Sequence, residues 1–234
     1  MSQEIIIDSR FRGPPNSANG GYACGVVGEG VGGIATATLR RPPPLDVPLS
    51  LVGDSEHLRL MDGEELVGEA RPDTLDIVVP TGWDFDTAVA ASKGYAGFAA
   101  HPFPTCFVCG PDRAPGDGLR IFPGRLEGSA VVAAPWAPDE SLAGTGGLVE
   151  RRHVWSALDC PSYFGLDDPP LALLGRLTAR IDRLPEIGER LVVVGWPMGV
   201  EGRKHLAGSA LLDADGDDIA AAEATWIEID RLPL

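Results

Sequence analysis

The chain repeats its own pattern at a spacing of about 140 residues. Residues 37–52 (ATLRRPPPLDVPLSLV) can be laid on residues 179–194 (ARIDRLPEIGERLVVV) at a shift of 142 positions. At this shift Pro43 meets Pro185, and an apolar segment follows each proline. Self-similarity at a fixed period indicates an internal duplication, which constrains the fold more than any single motif in the chain.

Each copy carries the same order of predicted elements: a helix, a strand, a proline-marked turn, a strand and an Asp-Gly hairpin. The hairpin lies at 60–70 in the first copy and at 211–224 in the second, and the helix at 17–30 and 150–160. A unit of one helix and about five strands is too small to bury both faces of its sheet. We therefore expect the two halves to pair. The alternative is that two unrelated β-rich segments share only their turn residues.

The second half gives the clearer local pattern. Apolar residues recur at helical spacing over 150–159, and we expect Pro161 to end this helix within one or two residues. In the connector over 73–104, residues 86–93 are predicted to form a short helix. Strands are predicted at 118–136 (two short strands around a Gly turn), 173–185, 188–200, 203–213 and 218–229.

Charge and composition exclude several classes of function. The chain has 34 acidic and 19 basic residues and a formal charge of −15, which is unsuited to binding a phosphate backbone. The N-terminus lacks the basic and apolar segments of a signal peptide, and the longest uncharged segment, 94–111, is broken by Pro and Gly. Four cysteines are too few for a disulfide scaffold. We expect a cytoplasmic, reduced protein with no nucleic-acid and no membrane partner.

Four segments resemble hotdog-fold thioesterase-like domains. The segment CFVCGPDRAPGDGLRIF (106–122) resembles the Cys-rich Gly-Pro turn that opens such domains, and 188–229 resembles the three long antiparallel strands that close them. The segment NGGYACGVVGEG (19–30) resembles the Gly-Gly motif at the start of their central helix. The segment VWSALDCP (154–161) resembles that helix in members with an acidic residue part-way along it.

The resemblance covers nearly the whole chain and implies an α+β fold. The expected architecture is a tandem double hotdog, in which each half is an antiparallel sheet wrapped around a central helix. The expected boundaries are 1–102 for the N-terminal hotdog with its connector and 103–234 for the C-terminal hotdog. Because a double hotdog resembles a dimer of single domains, and such dimers commonly pair again, we expect a homo-oligomer, a dimer of double hotdogs.

The resemblance also implies a hydrolase that cleaves acyl-CoA thioesters at a composite site between the halves, without a cofactor. Thioester hydrolysis needs a carboxylate as nucleophile or general base, and donors for the oxyanion. Asn19, Gly20 and Gly21 would supply donors at a helix N-terminus, and Asp159 of the other helix would face them. Glu29 is the second candidate carboxylate.

Each of these assignments has a structural alternative. Asn19, Gly20 and Gly21 could form a plain capped helix start, Asp159 could bond a neighbouring turn, and Glu29 could be an exposed charge at a helix end. Four further residues are expected to bind substrate: Arg151 and Arg152 at the coenzyme A phosphates, and Tyr163 and Trp155 in an apolar pocket. The alternatives are a solvated face for the arginines and the core for the aromatic residues.

Two other functions fit the same fold. A non-catalytic acyl or acyl-CoA binding protein is the alternative reading, because fold does not fix function. A hydratase would need an Asp/His pair near the helix start, and the sequence shows none.

The pair Cys106 and Cys109 lies almost at the middle of the chain. A four-cysteine zinc site would need two more thiolates at suitable spacing, but Cys24 and Cys160 are isolated in predicted helices. A redox pair would open a helix, whereas Pro111 and a Gly-rich turn follow here. We therefore expect no metal, and we interpret the pair as marking where the second hotdog begins.

Overall fold

The computed structural model describes residues 2–231. Within them, eleven strands form one antiparallel sheet that is accompanied by four α-helices. The first half contains β1 (Ser2–Ile6), α1 (Gly20–Gly28), β2 (Ala35–Leu39), β3 (Pro48–Asp54), β4 (His57–Asp62) and β5 (Glu65–Pro72). A connector carries α2 (Phe85–Ser92). The second half contains β6 (Gly124–Arg125), β7 (Val132–Trp136), α3 (Arg151–Ala157), α4 (Asp159–Phe164), β8 (Ala172–Ile181), β9 (Leu191–Glu201), β10 (Lys204–Leu212) and β11 (Asp218–Glu228).

The order of the strands shows the duplication directly. Across the sheet it is β1-β3-β4-β5-β2-β8-β11-β10-β9-β7-β6. Read outward from the centre, β2-β5-β4-β3-β1 is matched by β8-β11-β10-β9-β7. The halves join where β2 pairs with β8, and there Thr36 lies opposite Thr178 with the two hydroxyls 2.6 Å apart. These residues are 142 positions apart, which is the shift found in the sequence.

Single backbone hydrogen bonds repeat as well. The N–H of Arg40 donates to Val67 O, and the N–H of Asp182, 142 positions after Arg40, donates to Ile219 O. Before the helices the offset is smaller. The isolated bridge from Arg12 to Ala18 recurs from residue 143 to residue 149, a shift of 131 positions. The second copy is therefore longer between its helix and its first long strand.

The sheet wraps around the helices. Helix α1 packs on β2, β4, β5 and β8, while α4 packs on β7, β9, β10 and β11, and α1 contacts α3. Gly21, Gly25 and Gly28 share one face of α1 at helical spacing. A Cβ atom on any of them would lie within 2.8 Å of an atom of α3 or α4. The glycines thus allow the two central helices to approach closely at the core of the molecule.

The connector covers the outer face of the second half. Asp84 caps α2 by accepting from the N–H of Thr87 at 2.8 Å, and Ala88 of α2 is fully buried. Strand β9 is therefore covered on both faces, which explains its continuous apolar sequence. A second cluster of apolar residues forms here, with connector residues Leu75, Ile77, Val79, Trp83 and Phe85 packed against Val192, Val194, Ala210, Leu212 and Ala221.

Most predicted elements are present close to their expected bounds, but two local predictions are wrong. Pro161 does not end a helix: α3 stops at Ala157, and a new helix starts at Asp159 with Pro161 as its third residue. Proline is tolerated there because an N–H in the first turn has no partner within the helix. The segment 118–136 contains two strands, as expected, but they begin only at Gly124.

Candidate functional site

The N-terminus of α1 is built by its own sequence. Asn19 is the N-cap, and its Oδ1 accepts from the N–H of Tyr22 at 2.9 Å. Gly20 and Gly21 then open the helix, as predicted. The end of a helix leaves N–H groups without intrahelical partners, so this end can hold a negative charge.

Asp159 supplies that charge from the other half of the molecule. Its Oδ2 accepts from Asn19 Nδ2 at 2.5 Å and from the N–H of Gly21 at 3.1 Å. Gly21 is required for this approach, since a Cβ on it would lie 2.5 Å from the Cβ of Asp159. We refer to Asn19, Gly20, Gly21 and Asp159 as the α1 junction. The structure thus brings together four residues that the sequence had singled out from two segments.

The carboxylate of Asp159 lies in an unusual environment. The residue is 1% exposed, and its Oδ1 is buried without a hydrogen-bond partner among the described residues. Burial raises the pKa of Asp159 to about 7, against the lowering effect of the hydrogen bonds from Gly21 and Asn19. A carboxyl with such a pKa and an unused oxygen is poised to exchange a proton near neutrality.

A cavity of about 240 Å³ opens beside Asp159. Asn19 and Gly20 line it together with Asp159, and within residues 2–231 the N–H of Gly20 donates no hydrogen bond. A donor for a bound ligand is therefore available next to the carboxylate. The other walls are largely apolar and include Leu39, Phe103, Tyr163, Leu173, Leu174 and Trp226.

The arginines at this cavity are residues that the sequence did not point to. Arg40 and Arg41 line it, and both are also paired with carboxylates, Arg40 with Glu69 and Arg41 with Asp62 and Glu65. They follow β2 directly, in the proline-marked turn. That turn was recognised as part of the repeat, but nothing in it indicated that it borders a cavity.

The predicted substrate-binding residues fall into two groups. Tyr163 lines the cavity, and its hydroxyl donates to Pro170 O at 2.8 Å. Arg151, Arg152 and Trp155 are not among the residues that line it. Trp155 is fully buried and belongs to the core, which is the structural alternative stated for it above.

Glu29 lies at a second meeting of helix ends, where α3 begins. We call Glu29, Glu150, Arg151 and Arg152 the α3 junction. Arg152 Nη2 lies 2.8 Å from Glu29 Oε1, and Arg152 Nε lies 3.3 Å from Glu150 Oε2. Burial raises the pKa of Glu29 despite its pairing with Arg152. Glu29 is thus held by an ion pair instead of facing free N–H groups.

The Gly-Gly pair of the second copy lies outside its helix. Gly146 and Gly147 lie in a loop ahead of α3 with φ of 75° and 77°, and Glu150 is the N-cap, without a side-chain capping bond. The start of α3 therefore does not repeat the Gly-Gly start of α1. The positive φ values explain the glycines, since L-residues with a side chain are strained there.

The cysteine pair lies against the α1 junction, contrary to its interpretation as only a positional marker. Cys106 Sγ is 3.8 Å from Cys160 Sγ and 3.8 Å from Asn19 Nδ2, and Cys160 Sγ is 3.9 Å from Asp159 Oδ2. Hydrogen bonds from the neighbouring thiols hold the pKa of Cys106 well below its usual range, while burial raises that of Cys109. All three cysteines line the cavity.

The comparisons place the fold among known structures. A candidate thioesterase II from Thermobifida fusca YX superposes with a TM-score of 0.62 and 15% identity over 98% of this chain and 94% of that one. A candidate oleoyl thioesterase from Lactobacillus plantarum gives 0.58 and 9% over 98% and 96%. The chain has the double hotdog fold. The tesB protein of Mycobacterium avium subs paratuberculosis gives 0.56 and 11% over 90% and 86%. No family model and no curated protein matches the sequence of this double hotdog.

Proposed function

We propose that this double hotdog hydrolyses an acyl-CoA thioester at the α1 junction. The observation that carries the proposal is the buried carboxylate of Asp159, which has one unpartnered oxygen and lies at a glycine-opened helix N-terminus beside an apolar cavity. Structures named as thioesterases share the fold over nearly the whole chain, which supports the same reaction class.

Each residue of the junction has a distinct role in this proposal. Asp159 takes a proton from water, whose oxygen bonds to the thioester carbonyl carbon. The N–H of Gly20 donates to the oxyanion that forms there. The C–S bond then breaks, and the thiolate leaves with the proton held by Asp159. Asn19 and the N–H of Gly21 are positioning groups, because their hydrogen bonds fix Oδ2 and leave Oδ1 for the reaction.

The test follows release of coenzyme A from a panel of acyl-CoAs. Chromatography is the suitable readout because it detects coenzyme A without adding a thiol reagent to a chain that has four free cysteines. General acid–base groups contribute about 10²–10⁴-fold, so we expect Asp159→Asn to lower kcat by about 100-fold or more. Glu29→Gln is the matched control and should change kcat less than about threefold. Saturable binding without turnover in the unmodified chain would contradict hydrolysis and support the acyl-CoA binding protein.

The coenzyme A phosphates are proposed to lie against Arg40 and Arg41, the cations at the cavity. Arg41→Ala should raise KM for an acyl-CoA but not for the matching acyl-N-acetylcysteamine thioester, which lacks the phosphates. Arg151→Ala serves as the comparison variant. A KM effect confined to Arg151→Ala would contradict this proposal. It would support the prediction from the sequence that Arg151 and Arg152 bind the phosphates.

The expected homo-oligomer, the cytoplasmic location and the boundaries 1–102 and 103–234 remain predictions. Strands β1 and β6 are the two edges of the sheet, and unpaired edges are places where a second copy can add. Light scattering coupled to gel filtration would test the association. No helix in residues 2–231 has the length and apolar character needed to cross a bilayer.

A further inference from the structure

Three thiols converge beside the α1 junction from segments far apart in the chain. The Sγ atoms of Cys106, Cys109 and Cys160 all lie within 4.8 Å of one another, and all three residues are buried. Tetrahedral Zn²⁺ with bonds to sulfur of about 2.3 Å requires sulfur atoms about 3.8 Å apart. The distance from Cys106 Sγ to Cys160 Sγ is 3.8 Å. We propose that these cysteines bind one thiophilic divalent ion, preferentially zinc, as three thiolates.

The loop that carries two of the thiols is held in place by the protein itself. The N–H of Gly110 donates to Cys106 O at 2.9 Å, and a Cβ on Gly110 would lie 2.5 Å from Cys106 N. This tight turn brings both thiols of the pair to one side. The hydroxyl of Tyr95 donates to Cys109 O at 3.0 Å.

A buried arginine fixes the same loop to the first half of the chain. Arg113 Nε donates to Thr105 O at 2.8 Å, and its Nη2 donates to Arg10 O at 2.6 Å. The loop therefore requires little reorganisation to bind an ion, and the third thiol comes from Cys160, next to Asp159 in α4. An ion bound by all three would join this loop to the helix that carries the carboxylate.

His101 supports the cluster without being its fourth ligand. Its Nδ1 accepts from the N–H of Phe103 at 2.8 Å, so in the neutral ring Nε2 carries the proton. Nε2 lies 3.3 Å from Cys109 Sγ and can donate to that thiolate. Donors of this kind orient metal-bound ligands. The fourth coordination position is left for water or a ligand in the cavity, which all three cysteines line.

The experiment uses the full chain and needs no turnover, so it succeeds or fails independently of the proposed hydrolysis. Zinc released on denaturation is measured by mass spectrometry of the elements, and we expect close to one ion per chain. After removal of the ion under reducing conditions, titration with Co²⁺ should give the sulfur-to-cobalt charge-transfer band with an endpoint at one equivalent. Cys160→Ser removes a ligand and should lower affinity by more than the roughly 10–100-fold that loss of an outer-shell partner costs.

Two control variants make the assignment specific. Cys24→Ser should leave cobalt binding unchanged, because Cys24 is a buried thiol outside the cluster. His101→Gln keeps a hydrogen-bond donor and should weaken binding far less than Cys160→Ser. A loss equal to that of Cys160→Ser would overturn the three-thiolate assignment. Reduced protein that binds neither zinc nor cobalt, or a cobalt spectrum unchanged in Cys160→Ser, would overturn the site itself.

Discussion

The two helix junctions occupy equivalent places in the duplicated fold and hold opposite kinds of residue. At the offset of 131 positions that relates the helix starts, Asn19 corresponds to Glu150, and Gly21 corresponds to Arg152. The α1 junction combines an amide and glycines with an incoming carboxylate, whose Oδ1 has no partner among residues 2–231. The α3 junction places a guanidinium where the glycine would be, and that cation pairs with both nearby carboxylates.

The position of the Trp155 ring explains why the α3 junction does not hold a carboxylate equivalent to Asp159. The position equivalent to Asp159 is Gly28, and a Cβ there would lie 2.5 Å from the indole ring of Trp155. The space that a carboxylate occupies in one copy is therefore filled by an aromatic ring in the other. The two copies thus share a backbone but differ in the side chains at their helix ends, which is why the fold alone does not fix function.

The largest effect is expected when the glycine contact of the α1 junction is broken. In Gly21→Ala the new Cβ would lie 2.5 Å from Asp159 Cβ and 2.8 Å from Trp155 O, so Asp159 must move from the start of α1. If the proposed hydrolysis is correct, kcat should fall by about 100-fold or more, with a loss of about 1–3 kcal/mol in the free energy of unfolding. Coenzyme A release and urea unfolding measure the two quantities.

Gly28→Ala is the matched control, because Gly28 lies on the same face of α1 and its Cβ would also lie 2.5 Å from a side-chain atom of the neighbouring helices. Its Cβ meets the ring of Trp155, and overpacking should destabilise it by a similar amount. Its kcat should remain within about threefold of the unmodified protein. Equal losses of kcat in both variants would mean that general destabilisation, and not the position of Asp159, lowers activity.

The sequence predicted the features that depend on neighbouring residues or that recur in both halves of the chain. The shift of 142 was readable because strand and turn patterns recur, and the structure confirms it at Thr36 and Thr178. The capped Gly-Gly start was readable because capping depends on neighbouring residues. Asp159 was noticeable because a carboxylate in an apolar helix is costly unless it is paired or functional.

The sequence could not show contacts made by the tertiary fold. Cys160 is 54 residues from Cys106, and no local pattern relates a single helical cysteine to a distant loop. The pairing of Arg152 with Glu29 across two helices is hidden for the same reason. Pro161 shows a different limit: proline is tolerated in the first turn of a helix, and a second helix begins just before it.

The next effect concerns His153, which follows the α3 junction in the first turn of α3. Burial, followed by the charges of Arg152 and Arg10, lowers the pKa of His153 to about 4. Glu150 Oε2 is 3.9 Å from its Nε2, but this carboxylate also pairs with Arg152. His153 is neutral in the folded protein, and histidine in the unfolded chain has a pKa of about 6.5. The residue therefore contributes its full stability at pH values above about 6.5. That stability is lost as pH falls toward 4.

We therefore expect the stability of His153→Phe relative to the unmodified chain to rise by about 2–3 kcal/mol between pH 7 and pH 4.5. Urea unfolding of both proteins at each pH measures this difference. Subtracting one stability from the other cancels the titration of groups that both proteins share. The phenyl ring keeps contacts with Phe11, Tyr22 and Phe107, which surround the imidazole. A difference that does not change with pH would show that Glu150 stabilises the imidazolium.

The smallest effect should come from the ion pair that closes the α3 junction. The side chains of Arg152 and Glu29 are 30% and 27% exposed, so solvent screens their attraction, and we expect a coupling of about 1 kcal/mol in a double-mutant cycle.

The two single variants should lower the free energy of unfolding by unequal amounts. Burial raises the pKa of Glu29 despite the nearby cation. Glu29→Gln should therefore lower the free energy of unfolding only a little, since Arg152 retains its ion pair with Glu150. Arg152→Met should cost about 1–2 kcal/mol more because it leaves a half-buried carboxylate without its partner. Equal costs for the two variants would contradict this account, and a change in kcat in either would mean that the α3 junction takes part in the chemistry.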